Sequence, residues 1–123
     1  MKKILIVDDH ADIRKLIRMT LEFEAYDVQE ASDGEVALSL AATWRPDLVL
    51  LDVMMPGAFD GLEACRLLKA NPELNACYVI LLSACGHARD REAGLLAGAD
   101  AYLVKPFSPL QLIDTIAALW VGA

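Results

Sequence analysis

With 123 residues, 56% of them hydrophobic, the chain has the length of one compact domain, residues 1–123, and enough apolar material to bury a core without disulfide staples. Its formal net charge of −7, with no run of Lys and Arg, argues against direct contact with nucleic acid, whose phosphates an acidic surface repels. No apolar stretch approaches bilayer-spanning length and no secretory signal opens the chain, so a cytoplasmic location without membrane association is expected.

In chain order, residues 3–7 form a compact apolar run, as in a strand covered on both faces. Ile13, Leu16, Ile17 and Thr20 then recur at helical spacing, with Arg14, Lys15, Arg18 and Glu22 on the other side. Tyr26–Ala31 reads as a second strand, and Ser32 with Glu35 three positions on signals a capped helix running to about Trp44. Pro46 stops that helix, and residues 47–52 (DLVLLD) read as another buried strand. Residues 60–70 are helical, with Leu62, Cys65 and Leu68 on one stripe. Tyr78–Ser83 is a strand, and a helix over residues 89–97 is closed by Gly98 in a left-handed cap. Residues 101–105 are the last strand. Ser108-Pro109 opens a final helix with Leu112, Ile113, Ile116 and Trp120 inward. Cys65, Cys77 and Cys85 lack any CxxC spacing and read as small apolar residues.

This alternation specifies a (βα)5 flavodoxin-like fold, a doubly wound parallel sheet with strand order 2-1-3-4-5. Ligand sites in such sheets lie beyond the carboxyl ends of the strands. There the chain carries Asp8-Asp9, Asp52, Ser83 and Lys105, each directly after an apolar run. Crowded carboxylates repel one another and call for a cation. Oxygen ligands with room for water suit Mg²⁺ better than a Ca²⁺ cage. Such an ion draws in phosphate oxygens, Lys105 adds a second positive charge, and a carboxylate so placed can form an acyl phosphate. No P-loop, GxGxxG or GxSxG motif competes. His10 reads as a solvated histidine at a helix start, and His87 as a surface residue.

At this point the sequence resembles the response-regulator receiver domains of two-component signalling, of the chemotaxis-regulator kind. ILIVDD, ASDGEVAL, PDLVLLDVMMPG and LAGADAYLVKPF carry the resemblance, in this order, over essentially the whole chain. It implies that Asp52 is the phosphoacceptor, taking its phosphoryl group from a phosphohistidine on a histidine kinase or a histidine phosphotransfer protein. It implies that Asp9 and Asp52 ligate Mg²⁺, that Met54 adds a backbone carbonyl, and that Asp8 helps through water. Lys105 would bind a phosphoryl oxygen, with a cis bond to Pro106. Ser83 and Tyr102 would form the switch pair, and the face made by helix 4, strand 5 and helix 5 would report to an output domain or a downstream target protein. Such a domain catalyses only its own phosphorylation and slow hydrolysis; small Ala84 leaves the acyl phosphate open.

Two departures stand out. The loop after Pro56 is one residue longer than the family pattern, which puts Ala58-Phe59 near the metal site. Ala101 and Thr115 replace an acidic residue and an arginine common in the winged-helix branch, although Asp90-Arg91 fits it. Two rival readings remain. An aspartyl-nucleophile phosphatase of the haloacid-dehalogenase type wants an acid where Met54 stands. A pseudo-receiver scaffold would show no Mg²⁺-dependent change in Trp44 or Trp120 fluorescence.

Overall fold

The computed structural model describes residues 1–55, 57, 60–84 and 88–121. Ala58 and Phe59 of the longer loop, and Cys85 and His87, lie outside the described residues. Five strands run in parallel in the order β2-β1-β3-β4-β5: β1 (Lys2–Val7), β2 (Tyr26–Ala31), β3 (Leu48–Asp52), β4 (Tyr78–Ser83) and β5 (Ala101–Val104). The helices between and after them are α1 (Ala11–Leu21), α2 (Gly34–Trp44), α3 (Gly61–Ala70), α4 (Ala88–Leu96) and α5 (Pro109–Val121). No helix among the described residues is long and apolar enough to cross a membrane.

Alternation along each strand builds two cores from one sheet. Leu5, Val7, Val49, Leu51, Val79 and Leu81 point to one face, where Ala37 and Ala41 of α2 and Ala64, Cys65 and Leu68 of α3 cover them. Ile4, Ile6, Leu48, Leu50, Ile80 and Leu82 point to the other, under Ile17 and Leu21 of α1 and Leu112 and Ile116 of α5. Each such side chain contributes about 1.5–3 kcal/mol when fully buried. This two-sided demand is why the strands read as continuous apolar runs rather than as alternating ones.

Several details differ from the sequence reading. The N-cap of α2 is Asp33, whose Oδ1 accepts from the Val36 amide at 2.9 Å, so Ser32 is not the capping residue. Leu16 is 58% exposed while Leu21 is buried, which rotates the inner stripe of α1. Other expectations hold. Ser108 and Gln111 cap α5 reciprocally, Gly98 closes α4 at φ +96°, and the Lys105–Pro106 bond is cis. Burial raises the thiols of Cys65 to about 11 and Cys77 to about 12, as befits core packing residues.

Gly61 opens α3 against the back of β3. Its amide donates to the Val53 carbonyl at 2.9 Å, and a Cβ there would collide with the Asp52 backbone carbonyl. Gly61→Ala is therefore expected to cost about 1–3 kcal/mol by overpacking. A urea midpoint equal to that of the wild type would show that the loop yields freely.

Candidate metal and phosphoacceptor site

Register brings the polar residues together. Val7 pairs with Leu51, Asp52 with Leu82, and Ser83 with Val104, so the residues at or just past these pairs share one edge of the sheet. Two further backbone bonds extend the alignment: the Val53 amide to the Leu82 carbonyl at 2.9 Å, and the Lys105 amide to the Ser83 carbonyl at 2.7 Å. Asp8, Asp9, Asp52, Ser83 and Lys105 thus converge as the strand map requires. Asp8, Asp52 and Ser83 are buried.

Lys105 Nζ donates to Asp8 Oδ2 at 2.9 Å and to Asp52 Oδ1 at 3.2 Å, one ammonium bridging two buried carboxylates. Burial and the nearby Asp8 charge push the Asp52 carboxyl above its ordinary pKa, against the pull of Lys105. Burial also pushes Asp8 upward, but the His10 amide and Lys105 outweigh it and hold Asp8 below its ordinary value. Lys105 loses some of its charge preference to burial, yet the two carboxylates more than restore it and raise its pKa.

His10 departs from expectation. Its ring is largely exposed, yet Nδ1 lies 3.1 Å from Asp8 Oδ1 and 3.2 Å from Asp9 Oδ1, and its amide donates to Asp8 Oδ1 at 2.9 Å. The hydrogen bond to Asp8 and the charge of Asp9 raise the imidazole pKa. This is a histidine drawn onto the acids, not one that is simply solvated.

The donor set fits a hard divalent cation. Ligand atoms of Asp8, Asp9, His10 and Asp52 lie within 4.8 Å of one another. Asp9 Oδ1 is shielded from solvent and, among the described residues, accepts no hydrogen bond, with the His10 ring nitrogen 3.2 Å away. A buried carboxylate oxygen without a donor is costly unless a cation satisfies it. Met54 is 70% exposed, so its side chain does not bar approach. A cavity of about 320 Å³ opens over Asp52, bounded by His10, Asp12, Ile13, Met54, Ala84 and Lys105. A second, of about 200 Å³, is lined by both Ser83 and Tyr102.

Sequence reasoning missed a group behind the acids. Arg14 and Arg18, expected on the solvent side of α1, both hold Glu30 of β2, and Arg14 also reaches the Asp8 carbonyl. A glutamate inside a strand next to a helix with arginines four residues apart was the available signal. Trp44 and Trp120 lie at the opposite, amino edge. Trp120 donates to Tyr26 at the start of β2, and the Trp44 carbonyl accepts from Lys3 at the start of β1. Silence of their fluorescence would therefore say little about the acidic edge.

A family model described as the response regulator receiver domain matches residues 4–117. The transcriptional regulatory protein ResD of Bacillus subtilis is 46% identical over 117 residues, 95% of this chain and 47% of its own length. The response regulator MprA of Mycolicibacterium vanbaalenii is 45% identical over 117 residues, 95% of this chain and 49% of its own. The chain thus spans about half the length of the curated relatives it matches. Among solved structures, the chemotaxis response regulator CheY4 of Vibrio cholerae superposes with a TM-score of 0.90 at 32% identity, covering 96% of this chain and 98% of that one. The signal receiver domain of a signal transduction histidine kinase from Syntrophus aciditrophicus gives 0.91 at 33% identity, covering 100% and 92%.

The strain among the acids has a sign that can be measured. Because the folded pKa of Asp52 is raised, its contribution to stability is fully present below its ordinary 3.8 and is lost as pH rises through the folded value. Without divalent cation at neutral pH, Asp52→Asn is therefore expected to raise stability, because it removes a carboxylate that burial and Asp8 hold in an unfavourable charged form while Lys105 keeps Asp8 as its partner. The two proteins should converge in acid. Equal or lower stability of the variant at neutral pH, read by urea unfolding, would contradict this.

Proposed function

This chain belongs to the response regulator receiver family of two-component signalling, and we propose that Asp52 is its phosphoacceptor, charged from a phosphohistidine in the presence of Mg²⁺. The observation that carries the proposal is a buried carboxylate that opens onto a cavity of about 320 Å³, with the Lys105 ammonium 3.2 Å from it.

In this reading the carboxylates of Asp9 and Asp52 would hold the cation, with the Met54 carbonyl as a further ligand and Asp8 acting through water. When bound, a divalent cation supplies positive charge that draws phosphoryl oxygens to the site and offsets the charge of transfer. An Asp52 carboxylate oxygen attacks phosphorus. The new O–P bond forms as the P–N bond to the donor imidazole breaks, and the imidazole leaves with the electron pair and takes up a proton. Lys105, already in contact with Asp52, would turn its ammonium to a phosphoryl oxygen. Exposed Ala84 leaves room for a partner protein and, later, for the water that hydrolyses the acyl phosphate.

Ser83 is proposed to turn towards the phosphoryl group and Tyr102 to follow into the space between them. The cavity of about 200 Å³ bounded by both side chains supports that coupling. Helix α4 rests directly on this aromatic. Gly94 approaches so closely that a Cβ would lie 3.1 Å from Tyr102 Cδ2, and the Arg91 guanidinium stands over the ring at 5.6 Å. A shift of Tyr102 would therefore be felt on the surface of α4, β5 and α5, a population shift read by a partner or by an attached output domain. Relatives named as transcriptional regulators, with half their length beyond the matched region, favour an output of that kind. They do so although Ala101 and Thr115 depart from the winged-helix pattern. Like other receivers, the domain would act as a signalling module in the cytoplasm, its chemistry confined to Asp52.

Incubation with Mg²⁺ and a small acyl phosphate is expected to add one phosphoryl group, read by intact mass, and chelation of the metal should prevent it. Asp52→Asn should take up none. Labelling of that variant at the wild-type level would overturn the assignment.

A further inference from the structure

The acids at the end of β1 stand on a short stretch of backbone that the sheet alone does not hold. Pairing of β1 with β3 ends at Val7, and α1 begins at Ala11, so Asp8, Asp9 and His10 bridge the two. The Asp8 amide donates to the Ala31 carbonyl at 3.2 Å. The Asp8 carbonyl accepts from Arg14 Nη1 at 2.6 Å, and Arg14 Nε donates to Glu30 Oε1 at 3.0 Å. Glu30 Oε2 is held in turn by Arg18 Nε at 2.6 Å, and Arg18 Nη2 reaches the Val28 carbonyl at 3.3 Å. Asp8 is thus gripped from both sides by β2, directly at its amide and through Arg14 at its carbonyl.

That carbonyl belongs to the planar peptide unit joining Asp8 to Asp9. Rotation of this plane would swing the two carboxylates relative to each other. The Arg14 side chain is only 18% exposed and uses two nitrogens of its fork in different directions. A lysine, with a single ammonium at the end of a flexible stem, cannot reproduce both bonds in fixed orientation.

We propose that Arg14, braced by Glu30, is a positioning residue that fixes the Asp8–Asp9 peptide plane and thereby sets both carboxylates for binding the divalent cation. The proposal rests on the reading of the acidic edge as a cation site. Partners of metal ligands at this remove commonly matter about ten- to hundredfold in metal affinity.

The test is Mg²⁺ affinity by calorimetry for wild type, Arg14→Lys, Arg14→Gln and Glu30→Gln, each shown folded by its urea midpoint. Arg14→Lys keeps the charge and is expected to weaken binding by about tenfold or more, with phosphorylation recovering at saturating Mg²⁺. Arg14→Gln separates positioning from charge: removal of a nearby cation alone would tighten Mg²⁺ binding, whereas loss of positioning weakens it. Wild-type affinity in Arg14→Lys, or tighter binding in Arg14→Gln, overturns the proposal even if stability falls. Wild type that binds no Mg²⁺ overturns the underlying reading of the site as well.

Discussion

The Lys105 ammonium, bridging Asp8 at 2.9 Å and Asp52 at 3.2 Å, is the contact on which the carboxyl edge of the sheet depends. Without it, buried carboxylates on adjacent strands would face each other in a poorly solvating environment. With it, the balance is incomplete: Asp52 stays above its ordinary pKa, and Asp9 Oδ1 still accepts no hydrogen bond among the described residues. Such an edge retains affinity for further positive charge. In the proposed chemistry the same lysine would meet the incoming phosphoryl group, so one side chain would serve both the resting protein and the reaction.

The fold delivers that lysine from far along the chain. Lys105 and Asp8 are 97 residues apart and meet because β1, β3, β4 and β5 pair in parallel with a shared register. Helices cover both faces and leave only strand ends open to ligands. Close approaches tighten the arrangement, with Gly61 against the Asp52 carbonyl and Gly94 against Leu81 and Tyr102. The first seats the strand that carries Asp52, and the second packs α4 on the aromatic that shares a cavity with Ser83. The proposed chemistry and the proposed surface response would therefore draw on the same packing.

Much of this was legible in the sequence because a polar residue directly after a two-sided apolar run has few places to go. Asp8, Asp9, Asp52, Ser83 and Lys105 could be assigned to one edge from strand order alone. What escaped was set by side-chain reach rather than by periodicity. Arg14 and Arg18 sit on the polar side of their helix by pattern, yet their long stems fold back to Glu30. His10 follows the acids in sequence, but only the local backbone turns its ring onto both of them. Ser32 matched a capping signal one residue early, because Asp33 offered a competing oxygen of equal quality.

If the edge is built for a divalent cation and then a phosphoryl group, site-resolved NMR will register both in turn. Titration with Mg²⁺ and then with beryllium fluoride, a phosphoryl mimic, should shift the amides of Asp9, Asp52, Val53 and Lys105 saturably. The second addition should extend the change to Ser83, Tyr102 and α4, while the indoles of Trp44 and Trp120 at the far edge stay still. Shifts that never saturate, or that gather at the amino edge and spare Asp52, would contradict the account.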